Sequence, residues 1–145
     1  AVAGEKFKAR TVTYIVKIQA IDIPDEKGHV LYVFENKGIV TVFQGLQAKK
    51  YMDGIVNTSW GVADSNPKTE QWSGRGYAER IDRDGDKIYM TWEGQSGKEG
   101  VQGTLIFVKG TGKFEGIKGK ATWLGVSVAP NQGYNDFEGE VDWPR

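Results

Sequence analysis

The chain contains a single histidine, His29, and no cysteine. Those two counts bound the chemistry available to it. Without cysteine there is no thiolate nucleophile, no disulfide and no sulfur ligand for a metal. One histidine cannot build a typical zinc site without several carboxylates beside it. It can still exchange a proton near neutral pH. His29 and Glu35 share parity along one expected strand, with Leu31 and Val33 between them. If that face turns inward, the two reach the interior at different depths and form a candidate proton-transfer pair. A Glu35 desolvated among aromatic rings would have a raised pKa, which is how a carboxylic acid becomes useful near neutrality. The alternative places His29 on the surface beside Gly28, and Glu35 solvated next to Asn36-Lys37-Gly38. No Gly-x-Ser-x-Gly elbow is present, which argues against a Ser-His-Asp hydrolase.

Asp82-Arg83-Asp84-Gly85-Asp86, with Glu93 further on, superficially resembles a calcium loop. The glycine comes two positions too early, and Lys87 holds the place where it is needed. A type I′ hairpin turn with solvated acids accounts for the same residues. Gly110-x-Gly112-x-x-x-Gly116 misses the dinucleotide spacing by one residue and has no helix after it to receive a pyrophosphate. Asn57-Thr58-Ser59 satisfies the glycosylation pattern, which is common by chance. Nothing points to a bound metal or cofactor.

Aromatic residues carry the remaining signal. Trp60, Trp72, Tyr77, Tyr89, Trp92 and Trp123 fall in the middle of the chain. Trp92 shares parity with Ile88 and Met90, whereas Tyr89 shares parity with Thr91 and Glu93. A ligand is therefore expected to meet Tyr89 and Glu93 or, failing that face, Trp92. Tyr77 and Glu79 lie on the strand that Asp84-Gly85 folds back. Same-face neighbours across such a hairpin approach to within about 5 Å, so either could complete the patch. Aromatic rings with a few polar groups are what small-molecule pockets use. Large rings can equally well fill an interior and leave no space.

The elements that must position these residues are strands. Helical periodicity is nearly absent, and alternation with β-branched residues dominates. Expected strands run over 7–21, 29–35, 39–44, 52–62, 70–81, 87–93, 101–109, 118–128 and 134–143, about eight or nine in all in one 145-residue domain. Phe7, Ala9, Thr11, Thr13 and Ile15 face one way; Val12, Tyr14, Val16 and Ile18 face the other. Pro24 to Gly28 is a turn, and Asn36-Lys37-Gly38 reads as a hairpin loop. Gly74, Gly76, Gly125 and Gly139 lie inside strands. Such glycines weaken a strand unless it must bend or admit a close neighbour, and closing a sheet demands bends. The expectation is a closed antiparallel barrel of eight strands, at most nine.

Gly110-Thr111-Gly112-Lys113-Phe114-Glu115-Gly116-Ile117-Lys118-Gly119 resembles the G-x-G-x-F-x-G-x-x-G turn of the allene oxide cyclase and dirigent barrel superfamily. Gly76-Tyr77, the Asp84-Gly85-Asp86 turn and Glu93-Gly94 fit the same pattern, so the resemblance covers roughly residues 70–125. It implies an eight-stranded barrel, often oligomeric, closest to uncharacterised bacterial members, with Phe114 plugging one end. Some members cyclise or guide reactive small molecules, but no catalytic position can be matched residue by residue. A fold does not fix a function.

The function expected is therefore a barrel that holds a small, mostly apolar molecule in its lumen. An isomerase or cyclase is the rival, and a filled structural or interaction barrel the third reading. Lysine plus arginine equals aspartate plus glutamate, 19 each. This neutral balance argues against nucleic acid and anionic membrane as partners. Both faces of the long strands are apolar, which suggests a homo-oligomer, dimer or trimer. Ala1-Val2-Ala3 matches the small-x-small pattern before a signal-peptidase cut, which suggests a secreted or periplasmic protein.

Overall fold

The computed structural model describes residues 2–144, with side chains from residue 4 onward, so the side chains of the Ala1-Val2-Ala3 motif lie outside the described residues. Eight strands follow one another around a closed antiparallel barrel. They are β1 (Val2–Asp22), β2 (Val30–Gln44), β3 (Val56–Asn66), β4 (Gln71–Ile81), β5 (Lys87–Gly97), β6 (Gly100–Gly110), β7 (Lys118–Ala129) and β8 (Gln132–Trp143). Each strand pairs with the next, and β8 returns to β1 with Phe7 opposite Gly139 and Thr11 opposite Asn135. Closure leaves no unpaired edge. The period of two then decides the contents of the lumen. Phe7, Ala9 and Thr11 are buried while Val12 and Tyr14 are exposed, which is the division of faces expected from the alternation.

Two of the expected elements differ. Asn36-Lys37-Gly38 is not a hairpin loop. β2 runs straight through it, with Lys37 opposite Thr58 on one side and Tyr14 on the other. Gly38 is needed for proximity rather than for a turn, because a Cβ there would lie 2.2 Å from the Val12 carbonyl oxygen. The barrel therefore has eight strands and not nine. Met52 does not begin a strand either. It ends a short helix, α1 (Leu46–Met52), that buries Ala48 and Met52 one turn apart. The Glu5 carboxylate accepts from the Gln47 and Ala48 backbone N–H groups at 3.0 and 2.9 Å. The helix thus borrows from β1 the cap that its own sequence lacks.

α1 and the segment between β6 and β7 close one end of the barrel. Phe114 is 1% exposed; its ring meets Tyr51 edge-on at 5.7 Å and Trp143 at 6.2 Å. Gly112 and Gly116 have φ of +55° and +91°, the turn conformations expected around a plug residue. The nearby Asp82–Asp86 turn is not type I′. Only Gly85 has positive φ, with its N–H donating to the Asp82 carbonyl at 3.0 Å. That pattern is a type I turn followed by a left-handed glycine. Its acids are also not simply solvated. Lys113 reaches from the glycine-rich segment to Asp82, to Asp84 at 3.1 Å and to Asp86 at 2.8 Å. The Lys113 ammonium is held above its usual range, chiefly by Asp82 and then by Asp86.

Candidate functional site

The closed end fixes where a cavity can lie. Above the Phe114 plug the lumen holds a cavity of about 300 Å³ that runs toward the β7–β8 turn at Asn131. Its walls are the inward side chains of several strands, among them Tyr32, Phe34, Trp72, Trp92, Trp123 and Phe137. The rings form a connected wall. Phe34 lies 6.0 Å from Trp92, and Trp92 stands edge-on to Trp123 at 6.1 Å.

Glycines make room for these indoles. A Cβ at Gly61 would come within 2.4 Å of the Trp92 ring, and one at Gly94 within 2.4 Å of the Trp123 ring. These strand glycines are therefore seats for large rings. The sequence reading assigned interior glycine to bending or close approach, and Gly76 fits that role, with a virtual Cβ 1.9 Å from the Trp60 carbonyl oxygen.

Several polar atoms in this wall lack a protein partner. Thr11 Oγ1, Asn36 Oδ1 and Trp92 Nε1 are buried without a hydrogen bond to the described residues, and all three residues line the cavity. A buried group left unsatisfied costs about 1–3 kcal/mol. At the inner end lies Arg80, 1% exposed. Its Nε donates to Asn57 Oδ1 at 3.2 Å and its Nη1 to Met52 Sδ at 3.1 Å. The guanidinium also lies 5.6 Å from the Phe137 ring centroid and 5.9 Å from that of Phe107. No carboxylate pairs with it among the described residues. Burial pushes its pKa down to about 10, which leaves it cationic at neutral pH.

The residues singled out from sequence divide between the two faces of the wall. Trp92 points into the cavity. Glu35 does not. It accepts from Trp60 Nε1 at 2.7 Å on the outer wall, because the inward parity of β2 belongs to Tyr32, Phe34 and Asn36. Tyr77, 67% exposed, shares an outer groove with Glu35 and Glu93. Glu79 lies 4.0 Å from Lys87, and Tyr89 packs under Lys109, whose Nζ is 5.6 Å from the ring centroid. The Tyr89–Glu93 face is thus the outer one, and the alternative Trp92 face is the luminal one.

His29 lies at the barrel mouth and outside the lumen. Its Nδ1 is 2.5 Å from Asp25 Oδ1 and its Nε2 is 2.6 Å from Asp64 Oδ1. The two carboxylates, Asp25 first, raise its pKa by favouring the imidazolium. Sequence reasoning missed Arg80, which shares inward parity with Ala78 and pairs with Ile88 across the sheet. A cation at a core position of an alternating strand was the available signal.

No protein-family model and no curated protein matches the sequence. Solved structures of similar fold exist at low identity. The pterocarpan synthase dirigent protein GePTS1 has a TM-score of 0.56 at 11% identity, over 99% of this chain and 91% of that one. The pterocarpan synthase dirigent protein PsPTS1 has a TM-score of 0.55 at 12% identity, over 97% of each chain. A protein of unknown function from the DUF3224 family, from Shewanella oneidensis MR-1, also has a TM-score of 0.55 at 12% identity, over 97% of this chain and 99% of that one. Likeness at this level is of fold. It accords with the dirigent-like barrel that the Gly110–Gly119 motif implied.

Proposed function

We propose that the barrel binds a small, largely apolar, hydrogen-bonding molecule in its lumen. The observation that carries this is a cavity of about 300 Å³ whose aromatic wall contains three buried polar atoms with no partner among the described residues. A volume near 300 Å³ lies at the small end of the range for ligand pockets, roughly 300–1,000 Å³. A barrel serving only as a scaffold gains nothing from unsatisfied groups in a cavity wall, whereas a ligand that draws those side chains toward it can satisfy them. The neutral overall charge and the aromatic content support the same reading. An isomerase or cyclase would need a carboxylate or imidazole beside the cavity. Among the described residues none lines it, which favours binding over turnover.

Native mass spectrometry of the purified protein tests this reading. The expected result is a co-purified small molecule, or saturable uptake of a bicyclic aromatic probe, lost when Ala78 in the cavity wall is enlarged to Leu. A protein that carries nothing and takes up no neutral or charged bicyclic aromatic would contradict it.

A further inference from the structure

The inner end of the cavity contains a group that an apolar ligand alone would not explain. Arg80 is fully buried, lines the lumen and has no carboxylate partner among the described residues. Guanidinium has five N–H donors in a planar fork that matches a carboxylate two-to-two. Here Nε faces an amide oxygen and Nη1 faces a thioether sulfur, a weak acceptor. Aromatic faces at 5.6 and 5.9 Å offer cation–π attraction, but they accept no hydrogen bond in the plane of the fork. An isolated buried charge is among the most expensive features a fold can carry, and proteins compensate it with an opposite charge.

Resting on the luminal reading above, we infer that the natural ligand is an aromatic or similarly flat organic anion, its carboxylate or equivalent oxyanion toward Arg80 and its ring body among Phe34, Trp92 and Trp123. The shape of the site argues for an organic anion over a simple inorganic ion. The cavity continues from the guanidinium along a wall of rings toward Asn131, far more apolar surface than phosphate or chloride could cover. Trp92 Nε1, a donor without a partner among the described residues, suits a second oxygen on the ligand.

Isothermal titration with two isosteric probes, 1-naphthoate and 1-naphthamide, separates this inference from the reading it rests on. The carboxylate is expected to bind the wild-type protein about tenfold or more tightly than the amide, the scale of one charge-assisted contact. Arg80→Met should abolish that preference and Arg80→Lys should retain part of it. Equal affinities in the wild type would overturn the anion inference while leaving luminal binding intact. Binding of neither probe would overturn both. Sodium phosphate competing as tightly as naphthoate would also overturn it, since the site would then recognise bare charge. If Arg80→Met fails to fold, the wild-type comparison still decides.

Discussion

Trp92 is held by a glycine on the neighbouring strand but one. Gly61→Ala would place a methyl carbon within 2.4 Å of the Trp92 ring and 2.8 Å of the Phe34 ring, so the rings must shift to admit it. Overpacking of this kind costs about 1–3 kcal/mol, measurable by urea denaturation, and the displaced ring should also weaken uptake of a luminal probe. Phe114→Ala removes a buried ring from the plug and should cost about 3–5 kcal/mol; a loss below about 1 kcal/mol would mean that Phe114 does not close the barrel end. His29 gives a pH signature. Its folded-state pKa is raised by Asp25 and Asp64, so the stabilisation is fully present below imidazole's ordinary value of about 6.5. It is lost as pH rises through the raised value. Melting temperature should fall across that alkaline limb, and His29→Gln should flatten it. That Phe7, Ala9 and Thr11 share one face was legible, because strict alternation separates them from Val12 and Tyr14; which of the two faces turns inward was not, since both are apolar. Nor was it legible for Glu35, whose parity with Leu31 and Val33 could be read but not whether that parity faced the lumen.

At the scale of elements, α1 and the Lys113 clasp are the parts that join distant segments. Glu5→Ala should cost about 1 kcal/mol through loss of two helix-end hydrogen bonds, visible as a lower denaturation midpoint. The clasp has an acid dependence. Burial alone would raise the Asp82 pKa, but Lys113 and the backbone N–H groups of Asp86 and Asp84 outweigh it and bring the net value below the ordinary one. Asp86 is lowered too, mainly by Lys113. Their contribution is present above the unfolded carboxylate pKa and lost as pH falls through the lower folded values. Lys113→Met should lower stability at neutral pH and shrink the loss seen between neutral and strongly acid pH. The sequence displayed the strands because they are long and alternate. It hid α1 because seven residues give only one clear repeat, Ala48 to Met52, and because the helix cap lies 42 and 43 residues away on β1. The apparent Asn36-Lys37-Gly38 loop misled for a similar reason. A glycine required by a neighbouring backbone has the same one-letter signature as a glycine required by a turn.

For the whole molecule, closure of eight strands produces two chemically distinct surfaces. The inner one holds the aromatic cavity and Arg80. The outer one carries many exposed apolar side chains, Val12, Tyr14, Ile18, Val33 and Val62 among them. Association of copies through this wall is the expected consequence, and light scattering should return a multiple of the chain mass; a monomer across a wide concentration range would contradict that expectation. A luminal ligand must reach the inner surface, and the two faces carry built-in reporters. Among the described residues Trp92 Nε1 has no partner in the lumen, whereas Trp60 Nε1 is bonded to Glu35 on the outside. Nuclear magnetic resonance of the ¹⁵N-labelled indole groups during titration with 1-naphthoate or 1-naphthamide reads both at once. Luminal binding predicts that the Trp92 indole signal shifts and saturates with the probe while that of Trp60 stays in place. A shift confined to Trp60, with Trp92 unchanged, would place the ligand on the outer wall and contradict the account.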